Sequence, residues 1–312
     1  MCDPIHLIIL QPFNAIATVR LMDVAKHAHS DKNAALRLHR SRCHPNRSAL
    51  PTLPKQTPPS HPPGNLSLRL SLGAKIGEGA SGLVYEAVDV SLSRSPKYSQ
   101  SSLPPLVVKI CRNFQPYKLP REAFIYEEME ELHGLVVARY YGCFETIIPP
   151  GVTFPIWQNY EESSGSDLTE SDHPYIPRVL NIIVMERLGS QHLPTRKPVD
   201  EKLRYGLSYD FMCSILMNFF ILTSWELRCM YSHLSVLQIS HADVRWANIV
   251  SAPENTSGPP NRRCVHHRKC HPWRIVDFEL SKKTLSGSGD CNYHYKCMVD
   301  TLLSQLAKGQ RF

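Results

Sequence analysis

The chain has 312 residues, 42% of them apolar and 20% charged, the balance of an ordinary folded protein with room for one large core or two smaller ones. Lys and Arg number 35 against 28 Asp and Glu, a formal net charge of +7; this permits an anionic ligand such as a nucleotide but gives no footing for a nucleic-acid-binding protein. The ten cysteines lack the dense, even spacing of a secreted disulfide scaffold, so reduced thiols are expected.

The apolar run at residues 5–10 follows Asp3, has no basic segment before it and is interrupted by Pro12, so it does not read as a secretory signal. A cytoplasmic location is expected; the nucleus is also open, and a mitochondrial presequence is the weaker reading. Residues 44–64 hold Pro45, Pro51, Pro54, Pro58, Pro59, Pro62 and Pro63 among small polar residues. Proline removes backbone donors, and such a composition buries little apolar surface. Residues 1–66 are therefore expected to form a disordered, Pro-rich extension.

From Leu66 apolar and polar residues alternate, then glycines intervene, then Leu83, Val84, Tyr85, Glu86, Ala87 and Val88 follow, which reads as strand, tight turn, strand. Residues 91–105 read as a polar insertion, 106–111 as a buried strand and 120–132 as a helix. Strands are expected at 136–145 and 178–185, with an acidic, Ser-rich surface insertion at 159–174 between them. The run at 211–225 is strongly apolar but shorter than the roughly 20 residues a membrane crossing needs, so a buried helix at 209–235 is expected and no membrane association. Short strands near 249–250 and 273–278 follow, and residues 279–312 have room for one or two helices.

Four groups of residues carry chemistry. Gly77, Gly79 and Gly82, with Val84 after them, lie between two strands; glycine is suited to a backbone that must approach phosphates closely. Lys109 follows Leu106-Val107-Val108 within an apolar strand, where a buried ammonium needs a carboxylate or anion; Glu122 is the first candidate partner, with Glu127 and Glu128 as alternatives. His241, Asp243, Arg245 and Asn248 supply a carboxylate, a cation and an amide at fixed offsets, suited to orienting an attacking hydroxyl, balancing phosphate charge and ligating a metal. Asp277 ends the apolar strand Ile275-Val276 and offers a second oxygen ligand to a metal that Asn248 also touches.

In this order, over about residues 68–281, these groups resemble the protein-kinase-like superfamily, in an abbreviated, atypical form of the kind found among fungal kinase-like proteins. The resemblance implies a two-lobed α+β fold: a β-rich N-lobe over 67–188 with insertions near 91–105 and 159–174, and a shortened helical C-lobe over 189–312. It implies ATP and Mg²⁺ as cofactors and a hydroxyl acceptor, protein or small molecule, as partner. Ile76, Gly77, Gly79, Gly82 and Val84 would cover the phosphates, with Lys109 and Glu122 as the phosphate-holding pair. Met185 would be the gatekeeper, and the backbone of Glu186 to Leu188 would face adenine. Asp243 would be the catalytic carboxylate and Arg245 the cation beside it, with Lys109 as the third catalytic residue and Asn248 and Asp277 as the metal ligands.

The departures are Ala242 where the family has Arg, Glu279 where it has Gly, no A-P-E motif, and a short remainder after Asp277. They leave three readings beside a Ser/Thr protein kinase. One is a small-molecule phosphotransferase resembling aminoglycoside or choline kinases. Another is a pseudokinase or nucleotide-binding scaffold. The third is a zinc-dependent module built on Cys264, His266, His267, Cys270 and His271, to which Cys291, His294 and Cys297 could add. For this last cluster the expectation is a solvated basic hairpin rather than a metal site. The sequence sets no oligomeric state.

Overall fold

The computed structural model describes residues 16–27, 30–41, 65–79, 82–93, 103–111, 118–149, 152–154, 178–189, 209–253 and 260–307, with side chains of the long helix from 222 onward. They fall into two compact units, one within Met1–Glu127, Arg139–Arg187 and Asn255–Pro260, the other within Glu128–Ala138, Leu188–Glu254 and Asn261–Phe312. The expected insertion at 159–174 and the Pro-rich tract at 44–64 lie outside the described residues.

The first unit is a closed β-barrel. Among the described residues its strands are β1 (Ile16–His27), β2 (Ser30–Arg40), β3 (Leu66–Glu78), β4 (Gly82–Ser93), β5 (Leu106–Cys111), β6 (Tyr140–Ile147), β7 (Val152–Thr153) and β8 (Val179–Glu186), and its helix is α1 (Lys118–Glu128). Five strands form an antiparallel run in the order β3-β4-β5-β8-β6. β1 pairs in parallel with β3, β2 pairs with β6, and β1 and β2 pair with each other, closing a seven-stranded ring onto which β7 adds beside the end of β1.

Closure overturns the expected fold class. A two-lobed α+β kinase-like fold leaves its first lobe as an open sheet and places nothing ordered before residue 67; here the segment expected to be disordered supplies two barrel strands. The physical reason is alternation. Val19 and Leu21 on β1 and Leu36 and Leu38 on β2 are buried, while Arg20, Arg37 and His39 are exposed, the two-residue period of a strand with one face on a core. With these strands in place the edges of β3 and β6 are paired rather than open to other chains. The barrel interior is lined by Leu68, Leu70, Leu106, Val108, Ile110, Ile182 and Val184 among others. The alternate residues of β5, Val107 and Lys109, therefore point to the outer wall.

Against an outer wall a helix needs an apolar stripe, and α1 buries Leu119, Ala123, Phe124, Ile125 and Tyr126, with Tyr126 stacked on Tyr140 at a centroid distance of 5.5 Å.

The second unit holds the long helix α2 (Tyr209–Val236), then β9 (Ile239–Ser240), β10 (Ile249–Ser251), β11 (Trp273–Ile275), β12 (Lys282–Lys283) and α3 (Ser288–Ala307). β9 pairs with β12 and β10 with β11, each pair antiparallel. Arg274 is fully buried and donates hydrogen bonds to the carbonyls of His271, Trp273 and Gly134 and to Asn261 Oδ1. No helix among the described residues is long and apolar enough to cross a membrane.

Candidate active site

Glycine spacing and strand pairing decide the shape of the β3–β4 turn. Gly77 pairs with Val84, and Val84 pairs in turn with Lys109 on β5, so the three lie in one row across the barrel wall. Gly79 N–H donates to Gly82 C=O at 2.9 Å, closing the turn. Residues 80 and 81 lie outside the described residues. Ile76 is 46% exposed at the end of β3. The glycines are not equivalent: a Cβ on Gly79 would meet nothing within 4 Å, whereas one on Gly82 would lie 2.3 Å from the Ile110 carbonyl oxygen. Strand packing alone therefore accounts for Gly82, while Gly79 is free of such a demand.

Lys109 Nζ lies 2.6 Å from Glu122 Oε2, with both side chains buried. Of the three candidate carboxylates the structure selects Glu122, because α1 turns that side chain onto the barrel wall. Glu127 instead accepts a hydrogen bond from the Tyr140 hydroxyl at 3.3 Å, and Glu128 pairs with Lys283 at 2.9 Å.

Glu186, expected to present only backbone to a base, also uses its side chain. Its carboxylate accepts from the Arg139 backbone N–H at 2.9 Å and from the Arg139 guanidinium, while its own N–H donates to the Arg139 carbonyl at 2.9 Å. Arg187 N–H donates to the Pro105 carbonyl at 2.7 Å. The backbone donors of Glu186 and Arg187 are thus committed within the barrel unit. Met185 is buried, and Leu188, half-buried, belongs to the second unit.

In the second unit, the β10–β11 pair brings the remaining residues together. Ile249 pairs with Ile275, so Asn248 and Val276 meet at the end of the ladder, where Val276 N–H donates to the Asn248 carbonyl at 3.0 Å. Asp277 comes next and adopts φ +65°, a left-handed conformation that an Asp tolerates better than most residues and that is common where a side chain must be aimed. Asn248 Nδ2 donates to the Asp243 carbonyl at 2.9 Å and to its carboxylate at 3.0 Å, which commits the amide nitrogen and leaves Oδ1 as the metal-type donor. Arg245 lies between the acids, 2.9 Å from Asp243 Oδ2 and 3.7 Å from Asp277 Oδ2.

His241 is the support of this loop. Its ring is buried, packs edge-on against Phe278 at 4.8 Å, and its Nε2 lies 3.0 Å from the Val276 carbonyl. Burial pushes its pKa down, against the opposing pull of that carbonyl and of Asp243 and Asp277, so the ring is a neutral Nε2–H donor. Sequence reasoning missed two supports. Tyr295 on α3 accepts from the His241 backbone N–H at 2.6 Å and donates to the Ile239 carbonyl at 2.7 Å; a lone Tyr far down the chain carries no motif. The other is Arg139, whose bonds to the Glu186 carboxylate join residues 47 apart in sequence and carry no motif.

Comparison with protein-family models and with curated proteins gave no match for this chain.

The donor set fits Mg²⁺ in kind: two carboxylates and an amide oxygen are hard oxygen ligands. Lys109, Gly79 and Arg245 are groups of the type that meet phosphate.

Proposed function

We propose that the protein is an ATP- and Mg²⁺-dependent phosphotransferase acting on a hydroxyl group. The observation that carries this reading is the gathering of Asp243, Asn248 and Asp277 at one ladder end around Arg245. It combines a proton acceptor, oxygen ligands of a metal and a cation within one loop cluster. Mg²⁺ would be held by Asn248 Oδ1 and Asp277 and would neutralise phosphate charge when bound. Asp243 orients the acceptor hydroxyl and accepts its proton, while Asn248 keeps that carboxylate in place. Arg245 offers positive charge to the transferred group. The barrel unit, taken by itself, holds the buried Lys109–Glu122 pair and the Gly79 turn, groups of the kind that meet phosphate. The acceptor class is the open part of the proposal, protein Ser/Thr or small-molecule hydroxyl.

One observation favours a second reading, a nucleotide-binding scaffold: Arg245 already pairs with both acids, and Mg²⁺ must compete with it for Asp277. Thermal melting with ATP separates the two. A ligand bound only by the native state at about 100 times its Kd adds about 2.7 kcal/mol, so the transferase should show an ATP shift that grows with Mg²⁺ and loses that gain in Asp277→Asn. Asp243→Asn should keep the shift and lose transfer of labelled γ-phosphate. A wild-type shift indifferent to Mg²⁺ would overturn the transferase reading.

A further inference from the structure

The cluster expected to be a solvated basic hairpin is not solvated at its centre. Cys264 is 0% exposed and His271 1%. The loop that carries them is tight: Cys264 N–H donates to the Lys269 carbonyl at 2.8 Å, Arg268 N–H donates to the Cys264 carbonyl at 2.7 Å, and Arg268 adopts φ +54°. This turn brings His267 back over Cys264, with Nδ1 3.1 Å from Sγ. His233, in the last turn of α2, reaches in with Nε2 3.3 Å from the same sulfur. One donor atom from each of His233, Cys264, His267 and His271 lies within 4.8 Å of every other.

We propose that these four side chains form a structural Zn²⁺ site. Tetrahedral zinc with Zn–N of about 2.0–2.1 Å and Zn–S of about 2.3 Å places its donor atoms about 3.3–3.6 Å apart. The two sulfur–nitrogen separations, 3.1 and 3.3 Å, come within about 0.5 Å of this, and the widest pair, within 4.8 Å, must close by up to about 1.5 Å. The chemistry of each donor agrees. His271 Nδ1 is hydrogen-bonded to the buried Glu226 carboxylate, and its Nε2 is buried with no hydrogen-bond partner among the described residues. Because a carboxylate only accepts, the proton sits on Nδ1 and the lone pair on Nε2 is left for a metal, the carboxylate–histidine–zinc arrangement. Glu226 also pairs with Lys269, whose ammonium lies 4.2 Å from the Trp225 ring centroid.

Of the four, His267 is half-exposed and offers the entry path. Four protein donors leave no open coordination position, so the role is structural rather than catalytic. The ion would tie α2, which leads to His241, to the hairpin that leads into β11 and Asp277. Cys270 is exposed and points elsewhere, its Sγ 3.6 Å from the Asn261 carbonyl, and His266 is exposed; neither belongs to the site.

The test is zinc content of the full chain purified without chelator, with cobalt exchanged for zinc as an optical probe. One zinc per chain is expected, together with a thiolate-to-cobalt charge-transfer band. Cys264→Ser should abolish the band, and Cys270→Ser and His266→Ala should preserve it. Glu226→Gln should weaken zinc binding about 10- to 100-fold in chelator competition. If Cys264→Ser does not fold, chelator competition on the wild type and on His267→Gln decides: nanomolar-class retention by the first and a marked loss in the second support the site. Folded wild-type protein with less than about a tenth of an equivalent of zinc after incubation with the metal, or a band that survives Cys264→Ser, would overturn it.

Discussion

Between the outer wall of the barrel and α1, an ammonium and a carboxylate are held where water scarcely reaches. Taking two charges out of water costs several kcal/mol each, and even a close pair recovers this only in part. Lys109–Glu122 is therefore poor evidence of stabilisation and better evidence of use. Lys109→Met or Glu122→Gln alone leaves one buried group unmatched and should cost about 3–5 kcal/mol in denaturant unfolding. Lys109→Met combined with Glu122→Leu should recover most of that loss while abolishing any ATP-induced thermal shift. A double variant that still responds to ATP would remove Lys109 from the binding role. Lys109 is legible in the sequence because an ion within an apolar strand is costly enough to need a reason. His233 was not, since it sits in an apolar helix far along the chain from Cys264, and only the packing of that helix brings the two together.

At the scale of elements, the β3–β4 turn shows how one motif can mix two causes. Gly77, Gly79 and Gly82 read alike in the sequence, yet only Gly82 faces a neighbouring carbonyl that a Cβ would strike. Gly82→Ala should destabilise the barrel by about 1–3 kcal/mol as an overpacked site. Gly79→Ala should leave stability nearly unchanged, so that any weakening of ATP binding reports on phosphate approach. β3 and β4 are legible from alternation around the glycines, β5 and α2 from unbroken apolar runs, and α3 only as room for one or two helices after Asp277. β1 and β2 carry a period too, in Val19, Leu21, Leu36 and Leu38. It was overshadowed by the proline tract that follows, whose composition was extended backwards over residues that do not share it.

For the whole molecule, β1 and β2 decide the fold class itself. An open sheet and a closed barrel differ here by two strands, and no motif residue lies on either. Removing residues 1–41 should leave the β3 and β6 edges unpaired and drive aggregation, measurable by size-exclusion chromatography. Leu21→Ala, which keeps both strands but empties a core position, should remain monodisperse in that assay and lose about 2–5 kcal/mol in unfolding. An intact, monomeric 42–312 fragment would show that the barrel does not depend on closure.

The pairing of β2 with β6 joins His39 to Glu145, and β8 must arrive before the ring is complete. During synthesis, the earliest strands of this chain therefore emerge long before their last partners exist. Contacts so distant in sequence make for slow folding, and while the ring is incomplete its strand edges are open to association. The interval between translation of residue 40 and of residue 186 is the period in which the nascent chain has most need of a chaperone.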